Sequence, residues 1–332
     1  MKISREKLLN QLEAVSVGLA KIEELEQSGH FVFRDGKVFT FNDEIAAATD
    51  CDLGIVGAIA AKPMLTLLQK LSEEELDVGI VENELKIKGK RKRAGLTISD
   101  IRLPLDVLDD PSTYEPIPIP EKFFEAIELV GGCACKDQDY FFLTCIHIHP
   151  EWIEASDSYQ IARYKLSSGF SESVLIKQTT IKQITNLDLV KYSLSDGWIH
   201  FYDDAGLTVS VRKHSGNYTD LSDLFKFSGT KTVLPKNMGK ILDKAKVFAA
   251  DNLDNEVIVK LTSGLIEIKG QNDSGWYAEQ QKIEYDGEPL SFGVSCKLLS
   301  EIATRNDKCL IGEGKLKVQT KDWVYSVCTW VD

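Results

Sequence analysis

The sequence predicts an α+β protein of three domains, each with two helices packed on antiparallel sheets. Three observations predict it. A hairpin phrase of the kind SDGWIHFYDDAGLTVSVR (Ser195–Arg212) recurs six times along the 332 residues. Five of the six hairpins follow a clear apolar-periodic helical stretch. Two joints, one rich in proline and one in serine and glycine, cut the chain near its thirds.

The hairpins come first because their signal is local. In SDGWIHFYDDAGLTVSVR, Asp196-Gly197 is a tight-turn dipeptide, and Trp198, Ile199, Phe201 and Tyr202 are strand formers. Asp203 to Gly206 is a second turn, and Leu207 to Val211 alternates apolar and polar residues. The other versions begin at Arg34 (RDGKVFTF), Val81 (VENELKIK), His149 (HPEWIEASDSYQIARYKL), Thr262 (TSGLIEIKG) and Gly312 (GEGKLKVQ). Apolar periodicity predicts helices over Ser4–Gly18, Ala61–Ser72, Pro120–Val130, Val174–Leu187, Pro235–Ala250 and Ser295–Asn306. The repeating unit is then one helix followed by about four strands, six times over. One such unit cannot bury both its sheet face and its helix stripe, whereas a pair can. Asp109 to Pro120 holds four prolines and reads as one linker, and Ser228-Gly229-Thr230 as the other. Each leads into a proline placed to open a helix, in PIPEKFFEAI and VLPKNMGKIL. The expected domains are 1–114, 115–230 and 231–332.

The chain is 43% hydrophobic and 27% charged, a globular composition with no apolar run near the ~18 residues of a membrane span. The start, MKISREKLL, lacks the apolar core of an export signal, and seven scattered cysteines fit reduced thiols in a cytoplasm. Net charge is −12, which argues against a phosphate partner unless positive charge is gathered somewhere. It is gathered. The six helical stretches, some extended by a residue or two, carry net charges of +1, +2, −2, +2, +3 and +1, leaving −19 elsewhere. In Pro235–Ala250, Lys236, Lys240 and Lys244 lie opposite a stripe of Met238, Ile241, Leu242 and Ala245. One such lysine stripe reads as a solvated face. Five of six helices of the same sign inside an acidic protein read as a surface facing a polyanion. The candidate phosphate contacts are Lys7, Lys62, Lys70, Lys177, Lys182, Lys236, Lys240, Lys244, Lys297 and Arg305. Lys88–Arg93 (KGKRKR) is the densest basic cluster, at a hairpin tip that reads as a solvated turn.

No arrangement of residues demands catalysis. Gly312-Glu313-Gly314-Lys315 fails as a phosphate loop, because Cys309 stands five before Gly314 and Leu316 follows the lysine. Asp109-Asp110 and Asp203-Asp204 are turn dipeptides. Cys133, Cys135, His147 and His149 make the one tempting metal set, but zinc sites usually space their cysteines by two to four residues. The expectation is a non-enzyme with no metal and no cofactor.

Helix plus four strands, paired into three domains with basic helices, resembles the bacterial sliding clamp, the beta subunit of DNA polymerase III. The resemblance spans the chain. EASDSYQIARYKL (Glu154–Leu166) is similar to the clamp's alanine–threonine–aspartate–glycine–histidine–arginine strand, and VSVRKHSGNYTDLSDLF (Val209–Phe225) to its following passage. TVLPKNMGKIL and FGVSCKLLSEI (Phe292–Ile302) resemble its third-domain helix starts. The resemblance implies a homodimeric ring around duplex DNA that tethers the replicative polymerase without catalysing anything. It also implies a pocket for short peptide motifs of polymerase and clamp loader. The matching positions are Leu143, Ser156, Ser158, Tyr159, Gln160, Ile161, Thr219, Leu224, Ser326, Cys328 and Trp330. Here the family's glycine–histidine–arginine is Ser158-Tyr159-Gln160, its proline is Thr219, and its late valine and methionine are Ser326 and Cys328. These departures mark a divergent member, such as a phage or mobile-element clamp with a partner of its own. The dimer contact would join Leu96 and Ile98, near the edge Arg93–Ser99, to the region of Phe248. The other reading is a clamp-like decoy that captures clamp-binding peptides without encircling DNA.

Overall fold

The computed structural model of the chain describes residues 1–89, 91–249, 255–312 and 314–330. Lys90 of the basic cluster, Ala250 at the expected end of the fifth helix, Glu313 of the rejected phosphate loop and Asp332 at the C-terminus lie outside the described residues. Among the described residues, six α-helices and 24 strands follow one another in a sixfold repeat of strand, helix and three strands. Helix α1 (Arg5–Val15) follows Lys2–Ser4, α2 (Ala61–Lys70) follows Gly57–Ala60, and α3 (Phe123–Gly131) follows Ile117–Pro118. Helix α4 (Gln178–Ile181) follows Val174–Lys177, α5 (Met238–Ala245) follows Thr230–Val233, and α6 (Cys296–Arg305) follows Leu290–Ser295.

The repeat differs from expectation in where it begins. One of its four strands precedes the helix instead of following it. Within each pair of repeats these leading strands are exchanged: Lys2–Ser4 pairs with Glu75–Val81, and Gly57–Ala60 with His30–Arg34. The fourth helix is the clearest correction. Val174–Lys177 is a strand, its first three residues buried, and the α-helix is only Gln178–Ile181. Valine and isoleucine pack well in a strand buried on both faces, and Thr179, Thr180 and Ile181 are β-branched and restrict a helix. Beyond Ile181 the chain continues in three-residue turns, Gln183 N–H to Thr180 O and Ile184 N–H to Ile181 O, both 3.1 Å. The prolines also sit differently. Pro120 and Pro235 each lie three residues before their helix, so a turn, not the first helical position, takes them. Helices α1 and α6 are capped by Ser4 accepting from Lys7 N–H and Ser295 accepting from Leu298 N–H.

Contacts within the chain form two compact units, residues 1–121 with 176–215 and residues 122–175 with 216–332. The division runs through the expected central segment, because the two repeats of that segment hydrogen-bond into different sheets. The first unit has an eight-stranded antiparallel sheet in which Ile45–Asp50 pairs with Thr208–Arg212, and a four-stranded sheet ending at Arg93–Thr97. In the second unit Gln160–Lys165 pairs with Trp323–Cys328 in another eight-stranded sheet, and a four-stranded sheet ends at Gly275–Lys282.

The two joins match residue for residue. Ile45, Ala46, Ala47 and Ala48 face Val211, Ser210, Val209 and Thr208. Gln160, Ile161, Ala162 and Arg163 face Val327, Ser326, Tyr325 and Val324 in the same register. The strands Ile45–Asp50 and Gln160–Lys165 even share one burial sequence. The cores lie between sheet and helices. Leu8, Leu12 and Val15 of α1 and Met64 and Leu68 of α2 are at most 1% exposed. Helix α5 buries Met238, Ile241, Leu242 and Ala245 and approaches its sheet at Gly270, where a Cβ would meet the Ala245 carbonyl oxygen at 2.0 Å. A residue without a side chain is needed there for that close approach.

Candidate functional site

The candidate phosphate-contacting residues divide by what their charges already meet. Lys7 on α1, Lys62 and Lys70 on α2, and Lys182 at the end of α4 are exposed, and their ammonium groups form no ion pair among the described residues. The same holds for Lys236, Lys240 and Lys297. The expected α5 stripe holds in part: Met238, Ile241, Leu242 and Ala245 are buried and Lys240 is exposed on the helix, but Lys236 lies in the turn two residues before the helix starts. Lys244 differs. Its ammonium bonds Glu279 and lies 5.4 Å from the Tyr277 ring centre, and that hydrogen bond raises its pKa. Lys177 differs more. It ends a strand, is only partly exposed, and reaches Glu44 at 2.5 Å. Burial pushes the Glu44 carboxyl up, but His214 and Lys177 together bring it down to about 2. Arg305 stacks over Tyr325 at 4.9 Å. No sequence signal marks which lysines are spent on carboxylates, since the partners lie 35 and 133 residues away.

The expected peptide-pocket residues fall into two groups. Ser156, Ser158, Tyr159 and Cys328 come together at one turn. The Asp157 carboxylate accepts the Tyr159 and Gln160 N–H groups at 3.0 Å, and Cys328 N–H donates to the Tyr159 carbonyl at 2.7 Å. Ser158 holds φ +79°, a backbone that glycine adopts more easily. Ile161 and its partner Ser326 share the sheet face away from α3. Gln160 points the opposite way. Its amide donates to Gly132 O at 3.2 Å and accepts from the Tyr325 hydroxyl at 2.7 Å, so it is buried on the helix side. Trp330 bonds Glu256 through its indole N–H and bridges to Gly293. Tyr159 and Leu224 are exposed, at 50% and 44%. Leu143 lies in the turn Gln138–Thr144 and Thr219 in the exposed connecting segment.

What the sequence reading missed on this face is a polar cluster centred on Arg163. Its guanidinium bonds Glu154 and Ser222 and lies 4.5 Å from the Trp152 ring and 4.9 Å from the Phe225 ring. Glu154, 1% exposed, also bonds His147 at 2.8 Å, and His147 stacks on Tyr218 at 4.7 Å. A signal did exist: Glu154 and Arg163 sit on neighbouring strands of one hairpin, both at alternate positions from Ile161's face. Three of the tempting cysteines and histidines have protein surroundings of their own. His147 is held by Glu154, His149 stacks on Trp152 at 3.5 Å, and burial pushes the Cys133 thiol well up.

The dimer candidates lie at sheet edges. Leu96, half-buried, belongs to the edge strand Arg93–Thr97, and Ile98 follows it. Phe248 lies beside Gly275, at the start of the other edge strand, where Trp276 is 64% exposed. Among the described residues, the last strand pairs with the last strand of another repeat in four of the six repeats; these two edges are the remaining last strands.

No family model and no curated protein matches the sequence. Solved structures do match it across its length. The DNA polymerase III subunit beta of Pseudomonas aeruginosa has a TM-score of 0.84 at 17% identity, covering 100% of both chains. The DNA polymerase III beta chain of Streptococcus pneumoniae has a TM-score of 0.86 at 15% identity, covering 100% of this chain and 99% of that one. The sliding clamp of Bacillus subtilis has a TM-score of 0.84 at 15% identity, covering 100% and 98%. None of the six helices is long and apolar enough to cross a membrane, among the described residues. From end to end, this chain has the α+β fold of the bacterial DNA sliding clamps.

Proposed function

We propose that the protein is a non-catalytic DNA sliding clamp: two copies of its three domains close as a ring on duplex DNA and tether a polymerase in the cytoplasm. The single observation that carries the reading is the pairing rule of the repeats. Last strands pair with last strands at two joins inside the chain, and Arg93–Thr97 and Gly275–Lys282 are left as edges. Unpaired edges invite strand addition. A second copy supplies each edge with its missing counterpart, and the head-to-tail contact closes into a two-copy ring. Leu96, Ile98 and Phe248 are the side chains at that contact.

The exposed lysines of the helices then face sugar-phosphate oxygens without reading bases. Lys7, Lys62, Lys70, Lys182, Lys236, Lys240 and Lys297 are free to do so, whereas Lys177 and Lys244 must first leave their carboxylates. Short peptide motifs of polymerase and loader dock near the Ser156–Tyr159 turn, Ile161 and Cys328. The test is retention on DNA with and without ends. The protein is loaded on a nicked circle, isolated by gel filtration, and the circle is then cut once. A topological clamp stays on the circle and leaves the cut DNA, and light scattering gives twice the 37.1 kDa chain mass. A monomer whose DNA binding ignores the cut would favour the decoy reading instead.

A further inference from the structure

The first unit repeats the join of the second with its polar cluster removed. The register equates Ala48 with Arg163, because Ala48 faces Thr208 as Arg163 faces Val324. One strand over, Phe39 opposite Ala48 takes the place of Glu154 opposite Arg163. One strand further, Val32 opposite Phe39 takes the place of His147 opposite Glu154. The hydrogen-bonded row His147–Glu154–Arg163 thus becomes the apolar row Val32–Phe39–Ala48 on the equivalent sheet face. The covering loops correspond too. Short 3₁₀ turns stand over both joins, Leu105–Val107 in the first unit and Ser222–Phe225 in the second.

The substitution has a volume consequence. In the second unit the Arg163 guanidinium, between the Trp152 and Phe225 rings, fills the space under the loop. In the first unit an alanine methyl stands there, and a cavity of about 670 Å³ opens over Ala46, Ala48 and Phe39 under Leu105 and Leu108. Its rim is charged. Asp106, Asp109 and Asp110 come from the loop, and Arg34 and Lys37 from the hairpin turn. Two of the aspartates accept backbone N–H groups, Asp109 from the distant Gly197 at 3.4 Å and Asp110 from Ser112 at 2.9 Å.

We propose that this groove of the first unit is a second docking site, for an extended peptide that places a large apolar side chain over Ala46 and Ala48 and a basic residue beside Asp106 and Asp109. Charge complementarity selects this occupant: Arg34 lies 3.9 Å from Asp106, and three carboxylates against two cations still leave the rim net acidic, while Ala46, Ala48 and Phe39 give an apolar floor edged by Thr208 and Ser210. A pocket of a few hundred Å³ with an apolar floor and a few fixed polar groups is the usual form of a specific site. The inference goes beyond the clamp reading and stands on the internal repeat, so it survives if the protein proves not to encircle DNA.

The probe is a fluorescent synthetic hexapeptide library with Leu-Phe at its centre and either lysine or glutamate at each flank, titrated by anisotropy on the full chain. Lysine-flanked members should bind, and Ala48→Arg should weaken them at least tenfold by filling the floor as Arg163 fills its own. That variant is tested with Phe39→Glu, which restores the carboxylate partner found in the second unit, so that a folded control exists. Asp106→Lys, on a side chain that is 98% exposed, should weaken the same peptides several-fold without touching the core. Ile161→Arg, in the second unit, should leave them unchanged. Binding that ignores Ala48→Arg and Asp106→Lys, or that is lost through Ile161→Arg alone, overturns the proposal, as does a library with no binder.

Discussion

Removing lysine charge from helix α5 and the turn that leads into it should change the salt dependence of DNA binding by an amount set by which lysines are free. Lys236 and Lys240 are exposed and form no ion pair among the described residues, whereas Lys244 is held by Glu279 and Tyr277. Each phosphate neutralised by a free lysine contributes about 0.9 to the slope of log affinity against log salt. Replacing Lys236 and Lys240 by alanine should therefore flatten the slope by about 1.8 per chain bound. Between about 50 and 200 mM salt, wild-type binding should then fall about 12-fold more than binding of the double variant. Lys244→Ala should move the slope by less than half of a free lysine's share, because its ammonium must be taken from Glu279 before it meets a phosphate. The assay is a fluorescence anisotropy titration of a short duplex at four salt concentrations, with thermal unfolding as a check that the exposed substitutions leave the fold alone. An unchanged slope in the double variant would remove α5 from the DNA interface. An equal effect of Lys244→Ala alone would show that its ion pair does not restrain it.

Other consequences follow from single contacts. His200 is fully buried between Ser195 and Ser210, and burial brings its pKa from 6.5 down to about 4. The unfolded state then binds the extra proton first, so stability is intact above about pH 6.5 and is lost as pH falls toward 4, by roughly 3 kcal/mol in all. Denaturant unfolding at pH 7 and 4.5 should show that loss, and His200→Asn should reduce it; a pH-independent midpoint would refute the buried neutral imidazole. Ser158→Gly should raise stability by up to about 1 kcal/mol, since φ +79° strains a serine and not a glycine, and a fall in the unfolding midpoint would refute the strain. Leu96→Asp with Ile98→Asp should turn a dimer into a monomer by light scattering, with circular dichroism as the check that the chain stays folded, since both side chains are half-buried; a folded variant that persists as a dimer would move the contact off the Arg93–Thr97 edge.

Much of this was legible in the sequence because it is written at short range. The turn dipeptides and alternating residues of each hairpin, and the apolar stripe of α5 opposite its lysines, depend on neighbours two to four positions away. They determined the sixfold repeat, the α+β class and the placing of positive charge on helices. The same local rules misread Val174–Lys177, where a run of buried apolar residues fits a strand as well as a helix, and only sheet pairing decides.

What only the tertiary structure decided lies in pairings between distant segments. Ile45–Asp50 meets Thr208–Arg212, and Gln160–Lys165 meets Trp323–Cys328, across more than a hundred residues of chain. Contacts between separate segments turned Gln160 inward from the expected pocket, tied Trp330 to Glu256, and gave Lys177 to Glu44 and Lys244 to Glu279. They also set an alanine in one unit where an arginine fills the other. A local pattern fixes which face a side chain takes. What that face meets depends on strands folded back from elsewhere, and no periodicity within one strand can carry that.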